Sequence, residues 1–170
     1  HEGQDLMGPK MLKILACVSG NVVELRHQSS GNSLYLKGDD GWYYCYLHIN
    51  NDDPGTDNGA NRFEHAFAPG LKNGSRVRKG ELLAYLGDSG NAEASGSHLH
   101  FEIRKPAASV WQAAAINPRY SLEKAEAPRL GGAVDVTPFP DTVAFVVQQS
   151  FDWLGGLPSW TWLATYVNRI

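Results

Sequence analysis

Two histidines, His98 and His100, stand one residue apart in the run "GSHLHFEIR". Side chains alternate faces along a strand, so His98, His100 and Glu102 share one face while Leu99, Phe101 and Ile103 share the other. The apolar set suits a core, which turns the imidazoles towards a cleft. Two imidazoles at this spacing can serve one metal ion together, or one can bind metal while the other moves protons. Alone, the pair fits a half-buried strand with two surface histidines equally well.

The opening run "HEGQD" adds a second group. His1 and Asp5 flank Gly3, and a glycine lets the backbone bend so that both side chains converge. An imidazole, a carboxylate and a further imidazole make a three-ligand set, and a catalytic zinc site leaves its fourth position to water. "HxxxD" is a weak signal alone and a strong one beside "HLH". A third run, "YYCYLHI", reads as a strand with Tyr44, Tyr46 and His48 on one face and Cys45 and Leu47 on the other. It would bring His48 to the cleft as a second proton-handling imidazole.

These side chains need strands to hold them. "KMLKILACVSGNVVELRH" reads as strand, Ser-Gly-Asn turn and strand, and "NSLYLKGDDGWYYCYLHI" as strand, Asp-Asp-Gly turn and strand. "RVRKGELLAYLGDSGN" reads the same way, and "SHLHFEIRK" as a last strand. Between them, residues 50–75 are rich in Asn, Asp, Gly and Pro with no period. That is a long loop of the kind that carries function.

The order of these pieces resembles the lysostaphin-type (LytM-type) zinc metallopeptidases, which are peptidoglycan endopeptidases. The matching runs are "HEGQD", "YCYLHI", "RVRKGELLAYLGDSGN" and "GSHLHFEI", spread over roughly residues 1–120. The loop before "APGLKNGSRV" is similar to one in exported actinobacterial members. The resemblance implies a small all-β fold of antiparallel, barrel-like sheets with an open groove. It implies one zinc ion held by His1, Asp5 and His100, with His98 and His48 as catalytic histidines that do not bind the metal. Tyr46, Asn50, Ser97 and Glu102 are expected along the substrate groove, Glu102 also as an acceptor behind a ligand imidazole. The substrate implied is a peptidoglycan stem peptide or cross-link, and the location the secreted, cell-wall or other extracytoplasmic space. The competing reading is an inactive relative that binds wall or activates an amidase, but such relatives usually lose ligands, and all three are present. A lipoyl-like carrier, suggested by "RKGELLAYLGDSG", lacks a lysine at a tight hairpin tip.

The bulk properties agree. The chain has 170 residues, 42% of them hydrophobic and 19% charged, with 18 Gly and 9 Pro, a mix that favours short strands and many turns. A net charge of −3 with no basic run gives no nucleic-acid footprint. No apolar run approaches the ~20 residues of a membrane helix. Cys17 and Cys45 are open to two readings, a disulfide or two buried thiols. The peptidase domain is expected over 1–122, followed by an Ala/Pro/Gly-rich linker at 123–140. The aromatic-rich tail at 141–170 reads as a short helix or the start of a second domain.

Overall fold

In a computed structural model, residues 2–124 are described. The chain divides between Pro118 and Arg119 into two units. Of the second, only the start is described, a helix α2 at Arg119–Lys124. His1, the C-terminal part of the expected linker and the aromatic tail lie outside the described residues.

The first unit is antiparallel β, as expected. Its main sheet runs in the order β1 (Gln4–Met7), β8 (His98–Arg104), β5 (Tyr43–Ile49), β4 (Asn32–Gly38), β3 (Gly20–Arg26) and β6 (Arg76–Val77), with β9 (Ala115–Ile116) also pairing β8. A small second sheet joins β2 (Lys13–Leu15) to β7 (Leu82–Tyr85). The Asp-Asp-Gly turn closes the β4–β5 hairpin, where Gly41 takes the positive φ of 82° that a side chain would resist. The other two strand–turn–strand runs form their strands, but these do not pair as hairpins. β2 and β3 go to different sheets, as do β6 and β7. Each of those turns passes the chain from one layer to the other, which local sequence cannot distinguish from a hairpin. The long loop carries one short helix, α1 at Phe63–Ala66.

The main sheet is apolar on both faces, in different ways. On one face Leu6, Leu34, Leu36, Tyr46 and Leu99, with Ile14 and Leu83 of the small sheet, are at most 2% exposed. Each buried leucine of this kind contributes roughly 1.5–3 kcal/mol. On the opposite face Tyr35, Tyr43 and Cys45 are covered by Val110 and Ala113 of the segment after β8. Both cysteines are free thiols. Cys17 accepts a hydrogen bond from the Tyr46 hydroxyl at 3.0 Å, and burial pushes its pKa up to about 12.

Candidate metal and proton-transfer site

The register of the sheet sets the site. Asp5 on β1 lies opposite His100 on β8, and His100 lies opposite Leu47 on β5. Residues directly opposite share a face, so Asp5, His100 and His98 stand together on the side away from the leucine-rich core. The His100 Nδ1 lies 2.7 Å from Asp5 Oδ1. On its other side His100 Nε2 lies 3.2 Å from Glu102 Oε1. Glu102 is buried and also accepts from Arg104 Nε at 2.7 Å. Burial alone would raise its carboxyl; the hydrogen bonds from His100 and Arg104 more than reverse this and hold its pKa near about 2. Glu102 is thus a fixed anion that keeps the proton of His100 on Nε2. The Nδ1 lone pair then meets a carboxylate oxygen head-on.

Two acceptors at hydrogen-bond distance need a proton or a cation between them. In this structure the need shows as an upward shift of the His100 pKa, caused first by the Glu102 hydrogen bond and then by Asp5. A metal ion satisfies the same pair without that proton, so the donor set fits a divalent cation that accepts N and O ligands. The expected third ligand, His1, lies outside the described residues.

His98 is held the other way round. Its Nδ1 donates to the Gly96 carbonyl at 2.8 Å, which leaves the Nε2 lone pair facing Asp5 Oδ1 at 4.0 Å. His48 has the same tautomer, with Nδ1 donating to the Ser89 carbonyl at 2.9 Å. Its ring centroid is 4.8 Å from that of His98 and 6.0 Å from that of His100. Burial lowers the His48 pKa, and the neighbouring imidazoles lower it further, so His48 is a neutral base at neutral pH. Backbone carbonyls stand behind His98 and His48, and a carboxylate stands behind His100.

His48 does not share the face of Tyr46, as strict alternation would have it. Asn32 pairs with Ile49 and Ser33 with Leu47, so His48 is the extra residue of a β-bulge. Its φ is +59°, the left-handed region a non-glycine residue seldom occupies. The bulge rotates His48 out of the core face and onto the Asp5–His100 face. Tyr46 stays behind in the core at 2% exposure, and Asn50 is fully buried, so neither is placed to line a groove. Asn50 instead donates to the carbonyls of Asp52 and His65 and shapes the long loop from beneath. Ser97 is half-buried and donates to the Gly8 carbonyl at 2.6 Å, tying β1's end to β8.

Gly3 has a role beyond flexibility. A Cβ there would lie 2.6 Å from His100 Nε2, 2.6 Å from the Phe101 carbonyl oxygen and 2.9 Å from Glu102 Cγ. The missing side chain is the space in which the imidazole of His100 meets Glu102.

The sequence reading missed one network. Lys10 Nζ lies 2.6 Å from Asp52, 2.8 Å from Asp57 and 2.9 Å from Asp88. The three carboxylates have metal-like spacing, but the ammonium of Lys10 already supplies their cation. Burial works to lower the lysine's pKa, and the three carboxylates overcome it and raise it. The network joins β1's exit, the long loop and the segment before Ser89, whose carbonyl holds His48. The Asp-rich loop was a visible signal; its lysine, more than 40 residues upstream, was not.

The model of peptidase family M23 matches residues 1–118. The chain belongs to peptidase family M23. LytU is similar at 26% identity over 72% of this chain and 72% of that one, with a TM-score of 0.54. The antimicrobial peptidase lysostaphin from Staphylococcus simulans is similar at 25% identity and a TM-score of 0.58, covering 81% of this chain and 49% of that one. Its catalytic domain alone, at 22% identity, shares the fold with a TM-score of 0.54 over 71% of this chain and 77% of that one. Among the described residues of this M23 chain, no helix is long and apolar enough to cross a membrane.

Proposed function

We propose that this M23 chain is a zinc-dependent endopeptidase that hydrolyses peptide bonds in peptidoglycan stem peptides or cross-links, outside the cytoplasm. The observation that carries the reading is the opposition of His100 Nδ1 and Asp5 Oδ1 at 2.7 Å, with Glu102 behind His100. Asp5 and His100, with His1, would hold the metal. A bound zinc ion supplies Lewis-acid chemistry, acidifying water and polarising a carbonyl.

The chain's own groups do the rest. His98 offers an Nε2 lone pair beside Asp5 and takes the proton of the attacking water. The Gly96 carbonyl stabilises the imidazolium that forms, because Nδ1–H already donates to it. His98 then returns the proton to the leaving amine. His48, neutral and half-buried, accepts a hydrogen bond from the same water and orients it towards the scissile carbonyl.

The test is zinc stoichiometry alongside turnover. His98→Ala should keep one zinc per chain and lose turnover by 10²-fold or more. His100→Ala should lose the zinc. Full turnover in His98→Ala would remove the general base, and retained zinc in His100→Ala would remove the ligand assignment.

A further inference from the structure

The row of opposed residues that contains the site continues across the sheet. His100 on β8 faces Leu47 on β5, Leu47 faces Ser33 on β4, and Ser33 faces Arg26 on β3. All share one face. Three strand spacings separate His100 from Arg26, about 14 Å. On one side Val110 and Ala113 cover Tyr35 and Cys45, the next row along, and Leu47 packs partly buried against them. The row leads along this face of the sheet from His100 to Arg26.

Arg26 is built as a receptor. Its guanidinium carbon lies 4.2 Å from the centroid of Trp111 and 5.5 Å from that of Tyr35. The two rings brace each other at 4.8 Å, and Trp111 is 50% exposed. The guanidinium's single protein hydrogen bond among the described residues runs from Nε to Glu24 at 2.6 Å. Among the described residues neither terminal nitrogen has a hydrogen-bond partner, and the two form the planar fork that grips a carboxylate with two parallel bonds. Glu24 neutralises the long-range charge, so the subsite selects by donor geometry. The aromatic stack fixes the fork's plane before anything binds.

Resting on the peptidase reading of the Asp5–His100 site, we propose that Arg26 and Trp111 form a specificity subsite for a carboxylate of the substrate peptide, about four extended residues from the scissile bond.

The experiment compares cross-linked muropeptides carrying free carboxylates with the same muropeptides amidated by carbodiimide and ammonia. Both are given to the full chain and to Arg26→Gln, with kcat/KM from fragment release and Kd from calorimetry. The wild type should prefer the free acid by roughly tenfold or more in both quantities. Arg26→Gln should bring the ratio towards one, and Arg26→Lys, which keeps charge but not the fork, should retain only part of it. Trp111→Leu, which leaves the arginine in place but frees its plane, should lower the preference with little change in melting temperature. Peptides amidated only at the chain end or only at side chains show which carboxylate is read. Turnover with no acid preference, or a preference that survives Arg26→Gln, overturns the subsite and leaves the peptidase reading intact. Arg26-dependent binding without turnover overturns the peptidase reading and leaves the subsite. Neither binding nor turnover overturns both.

Discussion

His48 gives the sharpest test of how the fold aims its chemistry. In an ordinary strand position, glycine is worse than alanine by roughly 0.5–1 kcal/mol, because it has more backbone freedom to lose. At φ +59° the order should reverse, since a Cβ in the left-handed region costs roughly 1–2 kcal/mol. His48→Gly and His48→Ala both lose the imidazole and its bond to the Ser89 carbonyl. They differ only in that Cβ. The glycine variant should be the more stable by about 1 kcal/mol, which for a domain of this size is about 4 °C in melting temperature. Thermal unfolding of the two proteins, followed by circular dichroism under identical zinc and pH, measures it. Both should lose turnover by 10²-fold or more, so the more stable variant gains nothing in activity. An alanine variant as stable as the glycine one would mean that His48 is not held left-handed, and the bulge would no longer explain how its ring reaches His98.

Gly3→Ala should weaken zinc binding and cost about 1–3 kcal/mol, because the new Cβ meets the Phe101 carbonyl, which cannot move, as well as His100; competition with a chromophoric chelator reads the first, and an unchanged affinity would contradict the account. Lys10→Met strands two buried carboxylates, Asp52 and Asp88, and should cost about 3–5 kcal/mol in urea unfolding at neutral pH. A change below about 1 kcal/mol would show that the network does not hold the loop. Glu102 titrates near about 2 in the folded chain against 4.5 unperturbed. Its contribution, about 3 kcal/mol, is present above pH ~4.5 and lost as pH falls towards 2. In Glu102→Gln that part of the acid limb should vanish from a plot of unfolding free energy against pH, and an unaltered limb would place the anion elsewhere.

The candidate site was legible in the sequence where its facing depends on one strand's alternation. His98, His100 and Glu102 share a face, and Leu99, Phe101 and Ile103 pack behind them, as the period of two requires. The antiparallel β class followed from the same pattern and from the turn residues. Long-range facts were not legible. Strand periodicity cannot register a bulge, so it put His48 beside Tyr46 and left Tyr46 in the groove. Nor can it tell a hairpin from a crossing between layers, so the pairing of β2 with β7 could not be read from it. Which imidazole of "HLH" would serve as ligand rested on resemblance alone; the acceptors behind the two rings differ, a carbonyl behind His98 and a carboxylate behind His100, and that difference supports the proposed assignment. Lys10 illustrates the general limit: a surface-type residue in sequence becomes the centre of an ionic network only when the fold brings three carboxylates around it.

The most direct test of the peptidase assignment is mass spectrometry of fragments released from purified peptidoglycan, with active protein, with a zinc chelator, and with zinc restored. The account predicts peptide-cleaved fragments with new amino termini, abolished by the chelator and recovered with zinc. Release that persists unchanged in the chelator would contradict the zinc site, and no release from wall types of differing cross-bridge would contradict the endopeptidase.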